Sequence, residues 1–121
     1  MRRIWRFRVS KSDERDDSIQ ISFTLGICTT NCSKNYQYHI MNGYIGSSKQ
    51  LQIKDEDIVS LVYVKYESMI YSSSHFTWKG KVRLFVNDVP YSTIIDTDVL
   101  YFENLRLEVQ LFDRIELEMV P

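Results

Sequence analysis

The sequence predicts an all-β protein, and three observations support this prediction. The 121-residue chain contains no alanine, the best helix former, whereas Ile, Val, Tyr, Phe and Thr, which suit a pleated sheet, are frequent. Apolar and polar residues alternate with period two in many segments, as in strands with one buried face. Turn-forming residues separate these segments at spacings of roughly 8–12 residues. We therefore predict an antiparallel β-sandwich, either a jelly roll or an immunoglobulin-like Greek key, with a closed OB-like barrel as the alternative.

Length and composition predict a single domain over residues 1–121. A chain of this size buries about two thirds of its unfolded surface, which is enough for one hydrophobic core. Its 44% hydrophobic and 26% charged residues are ordinary for a folded soluble protein and differ from the composition of disordered chains.

The first predicted strand starts almost at the N-terminus. Alternation places Trp5, Phe7 and Val9 on one face of this strand and Arg6 and Arg8 on the other. We expect the first face to be buried and the arginines to be solvated.

The next predicted strands extend over residues 19–27 and residues 36–40. The second of these ends at Asn42-Gly43, a turn that favours a hairpin into residues 44–45. A polar stretch over residues 11–18 reads as the loop that precedes them.

The middle of the chain is predicted to contain a short strand at residues 50–53 and a long one at residues 58–66. The long run is rich in β-branched residues, so we expect burial on both faces; a single helical turn at residues 55–60, capped by Asp55, is the alternative. The Ser72-Ser73-Ser74 tract predicts a mobile loop.

The following strand covers residues 82–86, after a turn at Lys79-Gly80, and ends at an Asn87-Asp88 hairpin tip. Pro90 cannot donate a backbone hydrogen bond, so the returning strand at residues 91–95 is expected at a sheet edge. A break at residues 96–98 precedes a further strand at residues 99–102.

The last segment, residues 105–120, shows the longest alternation, with apolar residues at odd positions up to Leu111 and from Ile115 onward. It is too long for one ordinary strand, so we predict a turn near Phe112-Asp113 and two antiparallel strands.

Charge predicts that the first strand pairs with the last. Residues 1–11 carry five basic residues and no acid, whereas residues 101–121 carry five acids against two arginines. Pairing would place Arg6 and Arg8 opposite Glu116 and Glu118, and Trp5 and Phe7 beside Leu117 and Met119 in the core.

Neither a metal site nor a cofactor is expected. Cys28 and Cys32, together with His39 and His75, match no familiar zinc spacing. The N-terminal charges leave no signal-peptide core and no segment approaches a membrane span, so we expect an intracellular protein without membrane insertion, in which both cysteines are free thiols.

Catalysis is not expected either, and no catalytic residue is proposed. His39 and His75 are the chain's two histidines, and neither has a recognisable nucleophile and orienting group in the sequence pattern. The four glycines are scattered, so no glycine-rich phosphate loop is present.

The basic N-terminus makes Arg2, Arg3, Arg6 and Arg8 candidates for interaction with a partner. Cations interleaved with aromatic rings suit single-stranded nucleic acid. Alternation, however, points Trp5 and its neighbouring ring away from Arg6 and Arg8, so we expect nucleic acid not to be the partner.

Tyrosines form the second group of interaction candidates. Tyr36 and Tyr38 belong to a set of rings, with Trp78, that suits a protein or glycan surface. Tyr91 starts the predicted edge strand after Pro90, and exposed edges are common docking sites.

The segment Val86-Asn87-Asp88-Val89-Pro90, followed by residues 111–117, resembles the strand-turn pairs of small β-grasp modules. The similarity covers only the last third of the chain, and no amphipathic helix separates the two hairpins. We interpret it as shared turn chemistry and infer no family.

These observations together predict a module without catalytic activity that works by protein–protein contact. Its partner would be another protein or a second copy of the chain, and it would act as a subunit of a larger assembly such as a virion. The alternative is a module that binds glycan or single-stranded nucleic acid.

Overall fold

A computed structural model gives the fold of the chain and describes most of its residues: 2–29, 32, 34–46, 51–69, 76–98 and 104–121. The loop predicted at Ser72-Ser73-Ser74, the strand predicted at residues 99–102 and His75 lie outside the described residues.

Strands in two antiparallel sheets make up the described fold. They are β1 (Arg2–Lys11), β2 (Phe23–Cys28), β3 (Asn35–Met41), β4 (Tyr44–Ile45), β5 (Ile58–Met69), β6 (Phe76–Val86), β7 (Val89–Pro90), β8 (Ile95–Thr97), β9 (Arg106–Leu111) and β10 (Ile115–Met119). The larger sheet has the order β10-β1-β5-β6-β7, with β8 also paired to β6, and the smaller has the order β4-β3-β2-β9. The predicted all-β sandwich is confirmed, and the sheets do not close into a barrel.

The smaller sheet has Greek-key order. Strands β2, β3 and β4 follow one another along the chain and pair in sequence, and β9 returns after a long connection to lie beside β2. Consequently β4 and β9 are the outermost strands of this sheet among the described residues.

The core lies between the sheets and is lined by the faces that alternation predicted. Trp5, Phe7 and Val9 of β1 are all buried, as expected. In the opposite sheet, Phe23 and Leu25 are fully buried. The prediction that β5 is buried on both faces is only partly right, because residues 59, 61 and 63 are buried whereas residues 58, 62 and 64 remain half-buried on the outer face.

The first and last strands pair as predicted. In the antiparallel register Phe7 lies opposite Met119, Arg8 opposite Glu118 and Val9 opposite Leu117. Arg8 and Glu118 are therefore neighbours on the solvent-exposed face of the sheet, as expected. Glu116 lies opposite Ser10 rather than an arginine, because β10 begins level with the C-terminal end of β1.

The last segment turns where predicted, but its two strands lie in different sheets. Strand β9 pairs with β2 and β10 pairs with β1, so the chain crosses from one sheet to the other at residues 112–114. Alternation specified the inward face of both strands correctly but carried no information about their partners.

Hydrogen bonds hold the corner between β9 and β10 against the loop that precedes β2. The Phe112 N–H donates to the Ser22 carbonyl at 3.1 Å, and the Gln20 N–H donates to an Asp113 carboxylate oxygen at 2.9 Å. The hydrogen bond from the Gln20 N–H, and to a smaller extent the one from the Arg114 N–H, lowers the pKa of Asp113 because both stabilise the charged carboxylate.

Both predicted hairpin tips are confirmed. Asn42 and Gly43 have φ values of 54° and 83°, and Asn87 and Asp88 have values of 49° and 66°. Two successive left-handed residues are the mark of a type I′ hairpin turn, which matches the twist of its strands. The strand predicted at residues 91–95 is wrong in its bounds, because residues 91–94 lie outside the strands; Pro90 instead lies in β7, at an edge of the larger sheet.

Several local predictions are wrong. Lys79 and Gly80 lie inside β6 rather than in a turn, and residues 96–97 belong to β8 rather than to a break. No helical turn forms at residues 55–60, because Asp55 accepts a hydrogen bond from the Lys11 N–H at 2.7 Å instead of capping a helix. The stretches 19–22 and 51–53 lie outside the strands, and Gln52 forms a single bridge to Tyr44, while residue 50 of the predicted strand is outside the described residues.

Gly26, in the middle of β2, is required by the close approach of β3. A Cβ at this position would lie 2.2 Å from the Tyr36 carbonyl oxygen and 2.7 Å from the Gln37 Cα, both of them backbone atoms. We expect Gly26→Ala to open the β2–β3 pairing and to lower the free energy of unfolding by about 1–3 kcal/mol, measured by urea denaturation.

Thr24→Val is the matched control on the same strand. The Thr24 hydroxyl is buried and has no hydrogen-bond partner within the described part of the chain, so an isosteric apolar side chain should leave stability unchanged or raise it slightly. Equal losses in the two variants would contradict the steric explanation for Gly26.

Candidate interaction surfaces

The four candidate arginines of β1 do not form one surface. Arg2, Arg6 and Arg8 face outward from the larger sheet, whereas Arg3 lies on the other face, with its guanidinium carbon 5.1 Å from the centre of the Trp5 ring. Successive side chains of a β-strand point to opposite faces of the sheet, so Arg2 and Arg3 cannot share one surface.

Acidic side chains already contact two of the outward arginines. Arg6 lies 3.6 Å from a carboxylate oxygen of Asp88, and Arg8 lies 3.9 Å from Glu56 and 3.7 Å from Glu118. Exposed pairs of this kind contribute little to stability, but they reduce the positive potential of the face.

A second basic row on the same face was missed from the sequence. Lys81 and Arg83 of β6 lie opposite Val64 and Val62 of β5, which in turn lie opposite Arg2 and Ile4. The outer face therefore has an apolar centre between two basic rows. Only the register brings these rows together, so no local pattern could have revealed them.

Aromatic rings and further acids accompany this second row. The Lys81 ammonium lies 5.2 Å from the Tyr66 ring centre, the Arg83 guanidinium lies 5.9 Å from that of Phe85, and Asp96 is registered opposite Lys81. Cations and rings thus share this face, contrary to the sequence argument, but acids neighbour both basic rows. The expectation that nucleic acid is not the partner stays a prediction.

Two of the three candidate tyrosines are core residues. Tyr38 and Tyr91 are only 4% and 7% exposed, and their rings meet edge to face with centres 5.9 Å apart. Tyr36 is half-buried, and its hydroxyl accepts a hydrogen bond from the Asp98 N–H at 3.2 Å. Their contact with a partner stays a prediction, and the burial of Tyr38 and Tyr91 favours a packing role for both.

The Tyr38 hydroxyl ties the two sheets together. Its single proton is shared between the Val82 carbonyl oxygen at 3.0 Å and the Thr93 carbonyl oxygen at 2.7 Å, both from the opposite side of the sandwich. Burial raises the pKa of Tyr38 to about 12, because desolvation disfavours the phenolate.

The corner and edges formed by β9 and β10 expose a concentration of apolar side chains. Val109, Leu111, Phe112 and Met119 are 38%, 43%, 52% and 64% exposed. Alternation predicted core positions for the odd-numbered residues. Their register places them on the inner face, but Val109, Leu111 and Met119 are exposed and not in the core, because β9 and β10 are the outermost strands of their sheets among the described residues. We call these four residues the open-edge patch.

The prediction of free thiols is wrong. Cys28 and Cys32 form a disulfide, with their Cα atoms 4.8 Å apart. A tight turn brings them together, since the Cys32 N–H donates to the Thr29 carbonyl at 2.7 Å and Cys32 adopts a left-handed φ of 50°. Ligand atoms of both cysteines lie within 4.8 Å of one another and of a carboxylate oxygen of Glu108. The expected absence of a metal site stays a prediction.

Trp78 lies beside a surface groove of about 440 Å³. The ring is 44% exposed, and the Lys65 ammonium lies 5.0 Å from its centre. Asp96, Thr97 and Asp98 also line the groove, and Asp98 forms an ion pair with Lys34.

Comparison with known proteins gives no relative. No protein-family model, no curated protein and no solved structure matches the chain. Among the described residues, no helix is long and apolar enough to cross a membrane.

The placement of Tyr38 predicts its contribution to stability. Tyr38→Phe keeps the ring but removes the donor from two carbonyl oxygens, so we expect the free energy of unfolding to fall by about 1–3 kcal/mol. Tyr36→Phe, which alters a half-buried acceptor, should cost less. Equal losses in urea denaturation would contradict the inter-sheet role.

The same residue makes stability depend on alkaline pH. Because the folded-state pKa of Tyr38 lies above the unfolded value of 10, its contribution is fully present below about pH 10 and is lost as pH rises toward 12. The Tyr38→Phe variant should therefore lose less stability than the wild type between these pH values, measured by the same denaturation.

Proposed function

We propose that this protein is a non-catalytic assembly module whose partner is a second copy of the chain, bound along the edge of β9. The observation that carries the proposal is the open-edge patch, where Val109, Leu111 and Phe112 are exposed along an outermost strand. Edge strands with exposed apolar side chains are natural sites for adding a strand from another chain.

The side chains of β9 suit antiparallel pairing with an identical strand. About a two-fold axis at Val109, this residue meets its own copy, Leu107 meets Leu111, and Glu108 meets Gln110. This register brings no like charges together, and it covers the apolar residues that the monomer leaves exposed.

Strand β10 is unsuited to the same role. In an antiparallel pair of two β10 strands, Glu116 of one copy would lie opposite Glu118 of the other, or one of these glutamates would lie opposite the same residue of the second copy. Like charges directly opposite are destabilising, and acids on an edge are a common protection against unwanted pairing. The difference between the two edges supports β9 as the interface.

We extend this proposal to a role as a subunit of a larger particle, such as a virion. A two-fold interface closes on itself, so a larger assembly needs a further contact surface. The outer face of the larger sheet, with its apolar centre between Arg2 and Arg83, provides one. An intracellular location, expected from the sequence, accompanies this proposal.

The oligomeric state tests the proposal directly. We expect light scattering after size exclusion to give a mass approaching twice 14.4 kDa as concentration rises. Val109→Lys, which places two ammonium groups at the axis, should give a monomer. Met41→Lys, at a residue 59% exposed on β3, should leave the dimer intact.

A wild-type protein that stays monomeric at high concentration would contradict self-pairing and favour a different protein partner. A dimer that survives Val109→Lys but dissociates with Met41→Lys would place the interface elsewhere. Circular dichroism of each variant verifies that the sheets remain folded.

Glycan binding at the Trp78 groove is the second candidate. An exposed ring beside Asp96 and Thr97 offers a stacking surface and acceptors for sugar hydroxyls. We expect oligosaccharides to change the tryptophan fluorescence of the wild type and not that of Trp78→Ala, which retains the buried Trp5. An unchanged wild-type signal across a glycan panel would rule the candidate out.

A further inference from the structure

We propose that the reduced form of the protein binds one zinc ion through Cys28, Cys32 and Glu108. One ligand atom from each lies within 4.8 Å of the other two. Thiolate and carboxylate groups are both established zinc ligands, and the carboxylate oxygen already lies close to both sulfur atoms. Glu108 is next to Val109 on β9, but the two side chains lie on opposite faces of the sheet, so the metal site and the apolar dimer contact use different faces.

The fold brings the three residues together from two strands and a turn. Cys28 is the last residue of β2 and is 1% exposed, and the turn that follows returns the chain to Cys32. Glu108 lies on β9 opposite Gly26, so its side chain occupies the same outer face of the sheet as Cys28, one step along the strand. The β2–β9 pairing therefore fixes the spacing of the cysteines and the carboxylate.

An unpaired oxygen of Glu108 points independently to a cation. The Oε2 atom is buried and has no hydrogen-bond partner among the residues that the structure describes. A buried carboxylate oxygen without a donor is unfavourable, because it has lost its hydration without gaining a partner. A metal ion beside the sulfur atoms would offset that penalty.

Reduction must precede metal binding, because the two sulfur atoms are bonded to each other in the structure. An external dithiol supplies two electrons and two protons, the Cys28–Cys32 bond breaks to give two thiols, and the dithiol becomes its own disulfide. Zn²⁺ then displaces both thiol protons to solvent and forms two Zn–S bonds and one Zn–O bond. The tetrahedral ion would hold the sulfur atoms about 3.8 Å apart, as follows from Zn–S bonds of about 2.3 Å.

Zinc is the ion that this ligand set favours. Soft thiolates select zinc over magnesium or calcium, which prefer oxygen ligands. Three protein ligands leave a fourth position for water, so the ion would be exchangeable rather than enclosed. The oxidised protein offers only the carboxylate and should not hold the ion.

Metal titration tests the site. The full chain is reduced with a dithiol, desalted without oxygen and titrated with Co²⁺, whose thiolate charge-transfer absorption reports sulfur ligation. We expect one ion per chain, displacement by Zn²⁺, and no absorption from the oxidised protein. Cys32→Ser, at a half-buried position, should abolish the absorption, and Cys28→Ser provides the second thiol variant.

Glu108→Gln tests the carboxylate ligand, and Glu116→Gln on β10 is its matched control. We expect Glu108→Gln to weaken the affinity at least about tenfold, since even changes around the ligands of metal sites have effects of this size. Glu116→Gln should bind like the wild type. The Val109→Lys variant should also bind normally, because its substitution lies outside the ligand set.

Three results would overturn the assignment. A reduced, folded protein that gives no thiolate absorption with Co²⁺ would exclude the site. Binding that persists in Cys32→Ser and Cys28→Ser would place the ion elsewhere. Equal affinity in Glu108→Gln and the wild type would remove Glu108 from the ligand set. Circular dichroism of each variant before titration establishes that loss of binding is not loss of fold.

Discussion

The double pairing of β1 is the interaction on which the rest of the fold depends. This strand pairs with β10 along one side and with β5 along the other, and its Trp5, Phe7 and Val9 side chains lie in the core. Because only residues 112–114 separate β9 from β10, holding β10 against β1 also keeps β9 near β2 and thus aligns the two sheets. Loss of the β1–β10 pairing would detach β10 from the larger sheet.

Period-two alternation predicted which side chains face inward, but strand partners were harder to predict. The inward faces of β1, β2 and β6 follow directly from their sequences, and the pairing of β1 with β10 follows from opposite charge. The sequence at residues 112–114 does not reveal that the chain passes from one sheet to the other. A hairpin within one sheet and a crossover between sheets both interrupt the alternation in the same way. The turn predicted at Gly80 was wrong for a related reason. A glycine can mark close packing inside a strand as well as a turn, and Gly80 packs closely against Tyr63 and Thr97.

The candidate sites depend on residues that are distant in sequence. Tyr38 is a surface candidate in the sequence because tyrosine suits a binding face, yet its hydroxyl reaches carbonyls at residues 82 and 93. The rows of β1 and β6 share a face only because β5 lies between them. Glu108 reads as an ordinary polar residue of an alternating strand, and only its placement beside Cys28 gives it a further role. The local alternation of apolar and polar residues identifies the face of the sheet on which a side chain lies. The pairing register of the strands determines which side chains it contacts.

The antiparallel arrangement of β1 and β10 also determines how this module would respond to mechanical load. Arg2 and Met119 lie at the same end of the paired strands, since the register runs from Phe7 opposite Met119 to Lys11 opposite Ile115. Tension applied at these two points would peel β10 away and break its hydrogen bonds one after another, instead of shearing them all at once. A subunit pulled in this direction would yield at its final strand while the β5–β6 hairpin stayed intact.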